Sequence, residues 1–359
     1  MGPMNMKSIR WESVKAIFHA IAAADQVSRA QIAGQTGLSL VTVGKVVDTL
    51  LDMGILTQEK QVRATVGRRA GLLQIHPDRF ALNLDLSCLP FRFSVLDLRL
   101  GLREKVRRPC GEVGSVIDEL HAFLEEALTH VVEHYDLSNC FGIGVSLPGR
   151  YDANADRICA PRVPGMEDIA IREEVERVFT GFPLFLEASE NAAALSHIAA
   201  IENSEEKNIL YWFLGEEITT GAFLAGGRFL HGRTQPCQFG ELVLPGGALL
   251  GDALRQAQTP EEIVSVVAVP LYNTIQVLAP DTVILDCERL RTAPEARETM
   301  LPLLLDTMRS AAAETMEASG SSIRLPEIQI TCAKFRHAHR GLTMQLRQMW
   351  LYHALEEPD

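Results

Sequence analysis

The chain has 359 residues, 47% of them hydrophobic, enough for two or three cored domains. No apolar run reaches the roughly 18 residues of a membrane helix, and no signal peptide is recognisable. The seven scattered cysteines form no C-x-x-C pair, so a soluble cytoplasmic protein without membrane partner, disulfide framework or cysteine zinc cluster is expected. The net charge of −12 is uneven: residues 1–79 carry ten Lys/Arg against six Asp/Glu, and the remainder 24 against 40, so only the head is suited to a polyanion.

In the head, Val14, Ile17, Phe18 and Ile21 have the spacing of an amphipathic helix. Ser28 with Gln31 forms a capping box that starts a second helix, and Gly37 suits its left-handed stop. Ser39 then caps a third helix that buries Val43, Val46, Val47 and Leu50 and ends at Gly54. Two helices joined by T-G-L-S make a helix-turn-helix. Ser39, Val41, Thr42 and Lys45 occupy the exposed N-terminal face of its second helix, where this motif meets base edges and phosphates. ILTQEK and LLQIHP alternate like two strands, and the segment between them brings Arg63, Arg68 and Arg69 to a wing tip that can enter a minor groove. The alternative is a small protein-binding module with a solvated basic loop.

The body opens with strands at 80–87 and 91–99 and a third near REKVRRP, followed by a helix over 114–134. FGIGVSLPGRYD is a buried strand running into a turn. A helix near 167–178, the strand LFLE and an alanine-rich helix follow. A second α/β unit begins near 207 with NILYWFL, a hairpin through Gly226–Gly227, and a helix start at Thr259, Pro260 and Glu262. DTVILDC, a helix over about 294–318, the strand EIQIT and an amphipathic C-terminal helix complete the order. Tyr211, Trp212 and Phe213 read as core, and His197 as a helix-surface residue.

This order resembles the ROK family (repressor, open reading frame, kinase) over nearly the whole chain. The head has the S-R-x-x-I-A…T-G-L-S pattern and the GRR of the family's repressor branch. SLPGRYD is similar to its P-G-x-V-D turn, PRVPGM to N-L-P-G-W, GGRFLHG to the hairpin after its second glycine motif, and APDTVILD to D-P-E-x-V-V-L-G-G. The resemblance implies an N-terminal winged helix-turn-helix over 1–79 and a two-lobed α/β actin/hexokinase-like (ribonuclease H-like) ROK domain. Its first lobe spans 80–190, joined by the C-terminal helix over about 335–359, and its second spans 191–334.

Set against the kinases' E-N-D-A-N-A-A-A-L-A-E, the run EASENAAALSH places Ala188 and Ser189 where the sugar-contacting Asn and the general-base Asp stand. An unactivated serine hydroxyl cannot serve as that base near pH 7. The resemblance also implies that D-x-G-G-T has become Asp85-Leu86-Ser87-Cys88-Leu89, and G-x-G-x-G has become Glu217-Ile218-Thr219-Thr220-Gly221. The third Gly-Gly is Asp286-Cys287, and Gly240-Glu241 opens a zinc motif without its His and thiolates. The expectation is a DNA-binding repressor with a catalytically dead kinase-like body, without cofactor or metal. It would read a pseudo-palindromic operator as a homodimer or tetramer. By resemblance, Arg150, Arg162, Ser189, Asn191 and Glu241 line an effector cleft, and Arg162 suits a sugar acid or phosphosugar. An effector-independent scaffold is the second reading, and a divergent sugar kinase the third.

Overall fold

The computed structural model describes residues 6–59, 71–107, 115–159, 161–199, 201, 204–216, 218–230, 237–291, 295–316, 325–332 and 336–353. It divides into two compact units. Met1–Val145, Ile171–Leu186 and Leu342–Asp359 form the first, and Ser146–Ala170 with Glu187–Gly341 the second.

The first unit begins with α1 (Met6–Ala22), α2 (Arg29–Thr36) and α3 (Leu40–Asp52). The local signals act as expected. Ser28 and Gln31 make the reciprocal capping box, and Gly37 ends α2 at φ +70°. The Ser39 hydroxyl accepts from the Thr42 N–H at the start of α3. Val43, Val46, Val47 and Leu50 are buried, as are Val14, Ile17, Phe18 and Ile21 of α1. Each such side chain is worth about 1.5–3 kcal/mol relative to exposure. Strands β1 (Leu56–Glu59) and β2 (Leu72–Ile75) pair antiparallel, with Leu56 opposite Ile75 and Glu59 opposite Leu72. Arg63, Arg68 and Arg69 fall between them and lie outside the described residues.

The unit continues through β3 (Phe80–Asp85), β4 (Arg92–Asp97), β5 (Leu102–Arg107), α4 (Val116–His134) and β6 (Cys140–Leu147). Two short strands of the second unit, β7 (Arg150–Asp152) and β8 (Arg157–Cys159), pair antiparallel. Helix α5 (Ile171–Val178) starts four residues later than its sequence suggests, and β9 (Leu184–Ala188) completes a five-stranded sheet of order β5-β4-β3-β6-β9.

Residues 1–79 share one core with this sheet: Ala81, Leu98, Phe141, Leu346 and Leu351 cluster with the buried residues of α1 and α3. Arginines reinforce the seam. Arg99 donates from its two terminal nitrogens to Ala22 O and Ala24 O, both at 2.8 Å, at the C-terminal end of α1. A cation there also complements the helix dipole. Arg79 donates to Gly54 O at 3.0 Å and Ser138 O at 2.6 Å. Arg347 donates to Leu98 O at 2.7 Å and lies 4.9 Å from the Phe18 ring centroid.

The second unit holds α6 (Ser189–Ile198), β10 (Ile209–Leu214), β11 (Thr219–Ala225), β12 (Arg228–Phe229), α7 (Leu250–Gln256), α8 (Pro260–Leu278), β13 (Thr282–Cys287), α9 (Ala296–Met316) and β14 (Glu327–Thr331). Its sheet has the order β12-β11-β10-β13-β14, with β10, β13 and β14 parallel and β11 antiparallel to β10. Leu210, Trp212, Val283 and Leu285 pack on α8 and α9 residues such as Val267, Leu271 and Leu304. Thr259 and Glu262 make the second capping box, with Pro260 at the first helical position. Helix α10 (Arg336–His353) begins in this unit and continues into the first. A Cβ at Gly341 would collide with Ala192 O, so glycine permits the backbone contact between α6 and α10. Among the described residues no helix is long and apolar enough to cross a membrane.

Candidate functional site

Two regions can meet other molecules. The first is the N-terminal turn of α3. Val41 is 70% exposed and its neighbour Leu40 61%. Lys45 is also exposed, one turn further on. The Ser39 and Thr42 hydroxyls lie 2.9 Å apart and bond to each other, and Ser39 also caps the helix. Their polar capacity is thus partly used within the helix, and the face offered outward is aliphatic with one cation. Leu40 carries no signal in the sequence, because the helical period shows which residues are buried, not how far the first turn projects. Arg29 of α2 pairs with Asp48 of α3 at 2.6 Å and ties the two helices of the motif.

The second region is a cavity of about 350 Å³ within the second unit. Its lining includes Arg162, Thr219, Thr220, Gln238, Glu241 and Arg255. Of the residues expected to bind an effector, Arg162 and Glu241 line it. Ser189 lies directly behind, with its hydroxyl accepting from Arg162 Nη2 at 2.9 Å. Arg150 and Asn191 are not among the lining residues. Arg150 donates to Cys159 Sγ at 2.9 Å, and Asn191 donates to Glu187 at 2.9 Å.

The charge pattern of this cavity depends on residues that sequence reasoning missed. Arg162 Nη2 is 2.7 Å from Glu190 Oε1, and the Glu190 side chain is only 4% exposed. Arg255 pairs with Asp252 one turn before it on α7. Glu241 faces an amide: with the Gln238 side chain oriented to satisfy its neighbours, its nitrogen donates to both Glu241 oxygens at 2.7 and 2.9 Å. Thr219 and Thr220 start β11 and are buried, and among the described residues the Thr220 hydroxyl has no hydrogen-bond partner.

In the same unit, His197 is not the helix-surface residue its sequence suggests. Its side chain is 14% exposed and stacks on Tyr211 at 5.7 Å and on His337 at 4.3 Å, with Asp286 3.8 Å away. The helical period of an alanine-rich segment does not distinguish its faces, and His337 is 140 positions away in the chain. The Tyr211 hydroxyl donates to Asp286 at 2.9 Å. Burial, then the Asp286 charge, pushes the tyrosine pKa well above its ordinary value.

In the first unit Asp85 is buried and engaged. Arg92 Nη2 is 2.9 Å from one oxygen, and the Ser87 hydroxyl donates to the other at 2.5 Å. Among the described residues no group of three or more His, Cys, Asp or Glu side chains could hold a metal ion. Glu217, which the resemblance places in the second glycine motif, lies outside the described residues.

No family model matches the chain. An uncharacterized Sinorhizobium fredii protein, y4fQ, is 26% identical over 226 residues, covering 61% of this chain and 55% of that protein, so the chain matches about half of its relative's length. Among solved structures, a ROK family transcriptional regulator homologous to the Escherichia coli MLC protein superposes with a TM-score of 0.70 at 13% identity. The likeness covers 97% of this chain and all of that one. A ROK hexokinase from Thermus thermophilus superposes with a TM-score of 0.53 at 22% identity, covering 74% of this chain and 97% of that one. The chain thus carries the ROK fold. The regulator likeness extends over nearly all of it, and the hexokinase likeness over about three quarters.

Proposed function

We propose that the chain is a ROK-family transcriptional regulator, a repressor. Its head reads a pseudo-palindromic DNA operator within a homodimer or tetramer, and its body senses a small sugar-like effector without phosphorylating it. The observation that carries this reading is the exposed, capped first turn of α3, presenting Leu40, Val41 and Lys45 on the helix that enters the major groove in this motif. The whole-chain likeness to a regulator, head included, supports it. Paired half-sites require two-fold related heads, which is the reason for an oligomer.

Three features of the body support a loss of phosphoryl transfer. Ser189, in the position of the general base, is a buried hydroxyl already bonded to Arg162. Asp85 is engaged by Arg92 and Ser87. Thr219 puts a side chain where a phosphate-cradling turn needs a glycine. An effector would act only through different affinities for DNA-competent and DNA-incompetent states of the protein. The second reading, an effector-independent scaffold, is favoured by the Arg162–Glu190 pair, which answers the Arg162 charge without a ligand.

The test is enrichment of duplexes from a random-sequence pool by the full chain, with a parallel assay of sugar-dependent ATP hydrolysis. The reading expects a two-fold symmetric motif, its loss in Val41→Asp, and no hydrolysis above background. A pool that stays random, or hydrolysis that depends on a sugar, contradicts it.

A further inference from the structure

We propose that the head is mounted on the body sheet as one rigid piece, and that Arg103, with Arg99, makes the protein selective for the spacing between half-sites. The inference rests on reading the head as a DNA reader and adds what sets the distance between its two copies.

Only the segment from His76 to Arg79 connects β2 of the head to β3 of the body. Stretched, a tether of that length spans up to about 14 Å, or about four base pairs of duplex. A head swinging on it would accept a range of operators. Here the connection is pinned along its length. The His76 N–H donates to Ile55 O at 2.9 Å. The Arg103 guanidinium, on β5, donates to three successive carbonyls: Pro77 O, Asp78 O at 3.3 Å and Arg79 O at 3.4 Å. A charged donor makes the stronger kind of hydrogen bond. One planar fork serving several fixed acceptors is a task that suits arginine and not lysine.

The second observation is the grip on α1. Arg99 holds the carbonyls of Ala22 and Ala24 where the helix ends. Nearer its start, the Trp11 ring meets Tyr352 of α10 edge to face at 5.5 Å, and Arg347 of α10 lies over Phe18. Helix α10 is in turn held to the body sheet: Trp350 stacks on Phe141 of β6 at 5.4 Å, and Arg347 donates to Leu98 O. Because α1 shares its core with α3, a fixed α1 fixes the reading helix. In a two-fold oligomer, heads fixed in this way meet half-sites at one separation and one helical phase.

The experiment is fluorescence anisotropy of the full chain with three duplexes: its selected two-fold site, the same site lengthened at its centre by about half a helical turn (about five base pairs), and a single half-site. The unaltered chain is expected to lose about 10²-fold or more in affinity on lengthening. In the double variant Arg99→Met with Arg103→Met that loss shrinks below about tenfold, while the single half-site is bound as before. A merely structural role would weaken all three duplexes alike. If the double variant does not fold, Arg103→Lys carries the test, because it keeps the charge without the fork and shrinks the loss in the same direction. An unaltered chain that binds both spacings equally, or variants that keep full spacing selectivity, overturns the proposal. A chain that enriches no duplex fails as a regulator, and this proposal falls with it. A chain that selects a motif at any spacing remains a regulator and fails only here.

Discussion

Arg162 and Glu190 form a 2.7 Å ion pair in which the carboxylate is almost fully buried and the guanidinium keeps a quarter of its surface. The same guanidinium nitrogen donates to the Ser189 hydroxyl, so Ser189 is held by the pair beside it. A buried pair of this kind contributes little by existing, yet costs much when broken on one side.

Arg162→Ala removes the guanidinium that faces the buried Glu190 carboxylate and is expected to destabilise the protein by about 3–5 kcal/mol, measured by urea denaturation. The double variant Arg162→Met with Glu190→Gln recovers most of that loss, because no buried charge is left over. Equal losses in the single and double variants would show that packing, not the buried charge, sets the cost.

Ser39→Ala removes the cap of α3 and is expected to cost about 1 kcal/mol of stability. Ser39→Asp, which can still accept from the Thr42 N–H, restores most of it. Chemical denaturation of both variants checks the assignment, and identical loss in both contradicts it.

Such caps were legible in the sequence because their partners lie within three or four residues: Ser28 with Gln31, Ser39 with Thr42, Thr259 with Glu262. The order of strands and helices was legible for the same reason, since period and punctuation are local. The cavity's charge balance was not. Glu190 is 28 positions from Arg162 and reads as one more polar residue at a helix start. The stack of His197 between Tyr211 and His337 joins three distant segments.

Arg99→Met removes two charge-assisted bonds to the end of α1 and is expected to cost roughly 1.5–3 kcal/mol. Hydrogen exchange should rise first at residues 19–25, where α1 ends. Exchange that rises uniformly, or not at all, would argue against a local role for the clamp.

The raised pKa of Tyr211 has a definite sign. The folded state keeps the phenol protonated after the unfolded chain has lost that proton. The contribution is present in full below the unfolded pKa of about 10 and is lost as pH climbs toward the higher folded value. In an absorbance titration of tyrosinate, Tyr211 should ionise only with alkaline unfolding. Tyr211→Phe should reduce the signal at that step alone. A reduced signal at lower pH would place Tyr211 in contact with water.

The central claim, that the head reads DNA by sequence, is tested most directly by one ratio. It is the affinity of the full chain for its selected duplex over that for a scrambled duplex of equal composition, measured by fluorescence anisotropy at fixed physiological salt. The expected ratio is about 10³ or more, falling toward unity in Val41→Asp while affinity for both duplexes still weakens as salt rises. A ratio near one for the unaltered chain would contradict it, because the basic head would then bind phosphates without reading bases.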